Sequence, residues 1–363
     1  MKKRFRLLLV GGAGLLGLAF AAPALAAFQP DLTVQQSSYK VGAGTTAGFV
    51  ITSDPSNDPI AKMTIFSPAG YGNNLSQAPG TTIGKALAYV KANALGGTIL
   101  PLAGNVVVGN PADPTLMASS QVCTGKATNQ AVWILDTSLQ GQSIRIPAYV
   151  NVVGPYVVQQ ICLQSPADPA NTFQAQLIVA NYSIKGLFTN GSSRGAYQWA
   201  ADFTPYVPGT TTVNPVGTVE YRSYVGLPSS LSFKRAKSKA SLVAFTGVIS
   251  IAGLNPTGIK LHLYSSTKAQ PAPNWTLGTS AGLFGTGKAA STKGVKRTGK
   301  YSISRKRPKK KTLYQMRFEN YLLVPSGGDN CEGPSPSGLP IPCNGTSLAP
   351  LTSANTIAVK GRR

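Results

Sequence analysis

Residues 144–153 read Ile-Arg-Ile-Pro-Ala-Tyr-Val-Asn-Val-Val. Ile144, Ile146, Ala148, Val150 and Val152 take one side of an extended segment, with Arg145, Tyr149 and Asn151 on the other. Period-two alternation of this kind defines a half-buried strand. Tyr197, Trp199 and Phe203 alternate likewise with Gln198 and Asp202, and Val219 and Tyr221 with Glu220 and Arg222. Residues 131–135 are apolar on both sides and suit a strand covered on both faces. One segment departs from the pattern: Ile83, Leu87, Val90 and Ala94 recur every three to four residues, which predicts a short helix over 83–94.

The alternation resumes downstream. Ile259, Leu261 and Leu263 alternate with Lys260, His262 and Tyr264; Tyr301 and Ile303 with Lys300, Ser302 and Ser304; Tyr314, Met316 and Phe318 with Gln315, Arg317 and Glu319. Short strands separated by Gly/Pro/Ser turns predict an immunoglobulin-like sandwich, an open barrel being the other arrangement the pattern allows. The expected fold class is all-β, two β-sandwich domains, the second immunoglobulin-like, with at most one short helix in the first.

A chain of 363 residues exceeds what one core usually serves, about 250–300 residues. The first 26 residues read as a signal peptide: Lys2, Lys3, Arg4 and Arg6, then an apolar run, then Ala24-Leu25-Ala26. The apolar run is shorter than the ~20 residues of a spanning helix, so cleavage after Ala26 is expected, with no transmembrane segment thereafter. The joint between domains is expected at Gly226-Leu227-Pro228-Ser229-Ser230, where a strand-like run meets a proline. The domains are therefore 27–226 and 227–363.

Charge changes at the same joint. Residues 27–226 carry nine Lys/Arg against eight Asp/Glu, and residues 227–363 carry twenty-one against three. That asymmetry points to an anionic partner. Its densest part is Arg305, Lys306, Arg307, Lys309, Lys310 and Lys311 around Pro308, expected in a turn or strand edge and proposed as a polyanion-binding surface. Lys234, Arg235, Lys237, Lys239, Lys293, Lys296, Arg297 and Lys300 add to it. The competing reading is that lysines guard exposed strand edges and keep the protein soluble.

Cys123, Cys162, Cys331 and Cys343 suit an oxidising compartment. Of three connectivities, Cys123–Cys162 and Cys331–Cys343 keep each bridge inside one expected domain. These cysteines lack a CxxC element and the chain has one histidine, which disfavours a metal centre.

Several blocks carry a resemblance. Ala131-Val132-Trp133, Ile161-Cys162-Leu163, Gly195-Ala196-Tyr197-Gln198-Trp199, Phe203-Thr204-Pro205-Tyr206 and Val219-Glu220-Tyr221-Arg222-Ser223 resemble secreted actinobacterial proteins of unknown function. Ser230-Leu231-Ser232, Gly299-Lys300-Tyr301-Ser302 and Thr312-Leu313-Tyr314-Gln315-Met316-Arg317 are similar to the bacterial Ig-like modules that accompany them. The shared motifs are packing positions, so the resemblance implies architecture and no chemistry.

Catalytic patterns are weak. Gly191-Ser192-Ser193-Arg194-Gly195 and Gly278-Thr279-Ser280-Ala281-Gly282 match a nucleophile elbow, but no helix is expected after either serine, and His262 is the sole histidine. His262 reads as a polar strand residue. The run 282–289, Gly-Leu-Phe-Gly-Thr-Gly-Lys-Ala, has Ala289 where a phosphate-binding loop needs a hydroxyl. Asp54, Asn57 and Asp58, and the repeated Pro-Ala-Asp-Pro at 111–114 and 166–169, read as turn chemistry ahead of calcium ligation. Glu220 and Asp202 are the candidate acids for glycoside hydrolysis. Tyr301 and Tyr314 are expected in the core, where they cannot stack bases, so no specific nucleic acid is expected despite Trp275 and Phe284 nearby. Asn74, Asn181, Asn190, Asn274 and Asn344 begin Asn-x-Ser/Thr triplets.

The expectation is a secreted or cell-envelope-associated, non-catalytic protein without cofactors, whose basic Ig-like domain contacts anionic envelope polymer or another acidic surface. The alternatives are a structural or adhesive spacer, and an extracellular hydrolase.

Overall fold

The computed structural model describes residues 28–139, 141–267, 290–291, 294–318, 321–323, 331, 333–353 and 355–361. The expected signal peptide, Ser280 and its flanking glycines, the 282–289 run, Trp275, Lys293 and Asn274 lie outside the described residues. The fold is all-β.

The first part of the chain forms β1 (Asp31–Gln36), β2 (Gly44–Thr52), β3 (Ile60–Phe66), β4 (Gly72–Asn73), β5 (Thr82–Ala92), β6 (Thr98–Gly109), α1 (Pro114–Thr124), β7 (Ala131–Leu139), β8 (Gln142–Val153), β9 (Tyr156–Cys162), β10 (Ala175–Thr189), β11 (Gly195–Pro205) and β12 (Val219–Leu227). The second part forms β13 (Ser229–Leu231), β14 (Lys234–Ala236), β15 (Leu242–Ile251), β16 (His262–Ser266), β17 (Ala290–Ser291), β18 (Lys300–Lys306), β19 (Thr312–Phe318), β20 (Tyr321–Leu323), β21 (Cys343–Leu348), β22 (Leu351–Thr352) and β23 (Ile357–Val359).

One sheet of 14 strands runs β1-β2-β10-β5-β6-β7-β8-β9-β3-β11-β12-β21-β20, with β4 on β10. It curls until β1 returns against β12, where the Val34 amide donates to Ser223 Oγ at 2.8 Å and Ser347 Oγ donates to the Leu32 carbonyl at 2.7 Å. Near-closure covers the edge that β1 would otherwise expose. The inward face is aromatic at its centre: Trp199 packs edge-on to Phe49 and Phe188, each at 5.1 Å, and Trp133 meets Phe188. Ala148 and Val150 join this core as the opening alternation requires, whereas Val152 of the same face is exposed and Tyr149 of the opposite face is buried with Val132 and Ile134.

The helix expected over 83–94 is corrected: residues 82–92 are β5. A register shift between Thr82 and Gly84 separates buried Ile83 from buried Ala86 by three residues and imitates a helical repeat, after which Ala86, Val90 and Ala92 follow strand parity. Gly84 is required there, because a Cβ on it would lie 1.7 Å from the Ser183 carbonyl oxygen. The one α-helix among the described residues begins within the first Pro-Ala-Asp-Pro: Asp113 caps it by accepting from the Thr115 and Leu116 amides, Pro114 opens it, and left-handed Gly125 ends it.

The second part is a sandwich. β15 carries β13, β14 and β18; β19 carries β16, β22 and β23, with β17 beyond β16. Phe233, Phe245, Leu261, Leu263, Tyr301, Tyr314 and Met316 fill the space between the sheets. Strands β20 and β21, although they follow residue 227, pair with the first sheet, β21 running parallel to β12. The charge boundary at 227 is thus not a boundary of strand pairing. Tyr39 spans the two cores and donates from its hydroxyl to the Pro350 carbonyl at 2.8 Å.

Candidate functional site

The cationic run joins the two sheets of the sandwich. β18 ends at Lys306 in one sheet and β19 begins at Thr312 in the other, so residues 307–311 form the crossing. The Arg307 amide donates to the Ser241 carbonyl at 2.9 Å, and Thr312 Oγ1 donates to the Lys310 carbonyl at 2.9 Å, which pins both ends of the crossing. Arg305, Lys306, Lys309, Lys310 and Lys311 are exposed, whereas Arg307 is half-buried. Lys234, Arg235, Lys237, Lys239, Lys296, Arg297 and Lys300 are exposed as well. The three acids of residues 227–363, namely Glu319, Asp329 and Glu332, lie outside the described residues.

Strand parity gives Arg305 a particular position. Tyr301 and Ile303 are buried between the sheets, and Arg305 occupies the next inward position, at the open end. A cavity of about 540 Å³ lies there, bordered by Leu263, Ser265, Arg305, Lys306 and Tyr314. Tyr314 keeps its ring on Phe245 at 4.9 Å. Burial pushes its phenol upward in pKa, partly opposed by the Arg305 charge.

A second polar cluster lies on the large sheet. Asp202 and Glu220, the two acids singled out from the sequence, are opposite partners on β11 and β12. Both were expected on a polar, solvated strand face, as was Arg222; all three are buried instead, at 7%, 1% and 4% exposure. The Cys331–Cys343 bridge and the residues between it carry the chain back over this face. Glu220 accepts from Arg222 Nε at 2.5 Å and from Ser335 Oγ. Arg222 also donates to Gln198 Oε1 and to the Gly333 carbonyl, each at 3.1 Å. Burial first, and then the Glu220 charge, push Asp202 from 3.8 to about 7.

This geometry does not suit glycoside hydrolysis. A sugar needs carboxyl groups about 5–9.5 Å apart across an open cleft, whereas Asp202 and Glu220 are both buried and Glu220 is committed to Arg222 and Ser335. Glu220 also lies within 4.8 Å of the Cys331 and Cys343 sulfurs. Joined as a disulfide, these offer no thiolate ligand. Arg222 was missed as a partner in the sequence, although Glu220 and Arg222 at i and i+2 share one strand face.

The remaining candidates separate. Both expected bridges form, Cys123–Cys162 and Cys331–Cys343. Ser193 is exposed in a turn, its carbonyl accepts from the Tyr197 hydroxyl at 2.8 Å, and strand β11 follows it. His262 opens β16 opposite Arg317 and Ser291. Asp54 Oδ1 accepts from the Ser56 amide at 2.8 Å, the turn role expected of it. Tyr301 and Tyr314 are in the core. Asn181 and Asn190 are buried and closed to sugar attachment. Among the described residues no helix is long and apolar enough to cross a membrane.

No protein-family model matches the chain, and no curated protein is similar to it. Among solved structures, that of a Corynebacterium diphtheriae protein described as membrane anchored aligns at a TM-score of 0.19 and 11% identity, over 92% of this chain and 53% of that one. The chain spans about half the length of that structure. A likeness of this degree carries no argument about fold or function.

Proposed function

We propose that this is an exported, envelope-associated binding protein without catalytic activity, in which the second sandwich docks onto anionic envelope polymer through Arg305, Lys306, Arg307, Lys309, Lys310 and Lys311. The single observation behind this reading is the exposure of five of these six cations on one sheet-to-sheet crossing and the strand end beside it, in a half of the chain with twenty-one Lys/Arg against three Asp/Glu. Neighbouring charges within the ~8 Å screening length at physiological salt act on a polyanion together. Beside an acidic surface each contributes on the order of 1 kcal/mol. The leader-like residues 1–26 and the two disulfides fit export.

The test is retention of the full chain on isolated envelope across a salt series. Wild type is expected to be released as salt rises. A variant carrying Arg305, Lys306, Lys309, Lys310 and Lys311 all changed to Gln is expected to be released at markedly lower salt. Retention that ignores ionic strength counts against electrostatic docking. Unchanged retention of the variant would assign the cations to edge protection and favour the spacer reading.

A further inference from the structure

We propose that the cavity between the two sheets, at the cationic end of the second sandwich, seats one phosphodiester group of an anionic polymer, held by the Arg305 guanidinium and the hydroxyls of Tyr314 and Ser265. The proposal rests on the polyanion reading above and names the chemistry of its contact.

The inward-facing residues change character at this cavity. On β18 the buried pair Tyr301 and Ile303 gives way to Arg305, and on β16 buried Leu263 gives way to half-buried Ser265. Both belong to the cavity of about 540 Å³ that Tyr314 also lines. Two sheets of the sandwich thus bring donors to one space: Arg305 from the β15–β18 sheet, Ser265 and Tyr314 from the β16–β19 sheet. Hydroxyls donate as well as accept, and the guanidinium only donates. Burial keeps the Tyr314 phenol protonated, so it donates without adding negative charge.

Donors arriving from opposite sides select for ligand shape. A carboxylate holds both oxygens in one plane, and a single guanidinium fork satisfies them from one side. A phosphodiester is tetrahedral, so the lone pairs of its two free oxygens can meet the Arg305 fork from one sheet while hydroxyls approach from the other. Lys306, beside the cavity, and Lys309, Lys310 and Lys311 on the crossing supply charge without that shape requirement.

The experiment titrates the full chain with poly(glycerol phosphate) and with polyglutamate of matched charge at several salt concentrations. The phosphate polymer is expected to bind about tenfold or more tighter, the scale of one hydrogen bond to an ionised group. Tyr314→Phe and Arg305→Lys should each remove most of that preference while leaving polyglutamate affinity and the salt slope in place. Changing Lys309, Lys310 and Lys311 together to Gln should weaken both polymers and flatten the slope. Should Tyr314→Phe disturb packing on Phe245, Ser265→Ala tests the same preference with the ring intact. Equal wild-type affinity for the two polymers, or variants that leave phosphate binding unchanged, overturns the phosphodiester seat while the polyanion reading stands. Binding to neither polymer overturns both.

Discussion

Asp202 and Glu220 face each other across β11 and β12, both buried beneath the return of the chain that Cys331 and Cys343 close. A pair of acids on neighbouring strands normally repels; here Glu220 pairs with Arg222 and accepts from Ser335, while burial and then the Glu220 charge raise the Asp202 carboxyl to about 7.

Stability should therefore fall as pH rises toward neutrality. With Asp202 raised from 3.8 to about 7, the folded protein keeps a proton across that window which the unfolded chain releases. The stabilisation is complete below about pH 4 and is lost as pH climbs through 7, at up to roughly 1.4 kcal/mol per pH unit from this group. Asp202→Asn should remove the slope and be the more stable protein at pH 8. Denaturation midpoints at pH 4.5, 6 and 8 for both proteins check this, and the difference between them cancels Asp31 and Asp58, which burial also raises. Parallel curves for the two proteins would refute the assignment.

Arg222→Met should cost about 3–5 kcal/mol, because Glu220 would be left buried without its ion-pair partner. Adding Glu220→Gln should recover much of the loss. Urea denaturation of both single variants and the double variant measures the coupling, and additive effects would mean that the ion pair contributes little.

Cys123 lies in the last turn of α1 and Cys162 at the end of β9, 39 residues apart in the chain. Ser120 is the one buried residue of the helix, so the bridge is a principal tether. Replacing both cysteines by Ala should lower stability by about 2–5 kcal/mol. Hydrogen exchange should accelerate first in the amides of α1, whereas uniform acceleration across the large sheet would contradict a local tether.

Gly84→Ala should destabilise by more than about 3 kcal/mol, at the top of the overpacking range, since backbone rather than a movable side chain occupies the space of the new methyl group. Gly195→Ala, with nothing within 4 Å of its Cβ position, is the control and should be near neutral. Thermal melts of the two variants suffice to compare them.

Local periodicity carried much of the architecture, as residues 144–152 illustrate: the alternation depends on near neighbours alone and survives whatever the strand pairs with. It misled where pairing intervened, since the bulge at Ile83 belongs to the β5–β6 ladder and leaves a helix-like spacing in one dimension. The course of the large sheet was not legible either. β2 pairs with β10, and β3 sits between β9 and β11, contacts that no composition or spacing announces. The acids Asp202 and Glu220 were recognisable as polar strand residues, but their opposition is set by the β11–β12 register and their burial by residues more than a hundred positions later. The cationic crossing was legible because charge density needs no partner to be seen. That Arg305 shares a strand face with Tyr301 and Ile303 follows from parity once β18 is fixed.

The parallel pairing of β21 with β12 has a practical meaning for dissecting the molecule. The polypeptide leaves the large sheet at Leu227, builds most of the sandwich, comes back through β20 and β21, and departs again into β22 and β23. The two halves are stitched rather than strung. A gene truncated at residue 227 would strip β12 of β21 and lay bare a row of unpaired amides and carbonyls, an invitation to aggregate, while the excised remainder would carry the β20–β21 pair cut off from the sheet it extends. Whatever the cationic end grips, the barrel-like half is held to it by more than a swivel.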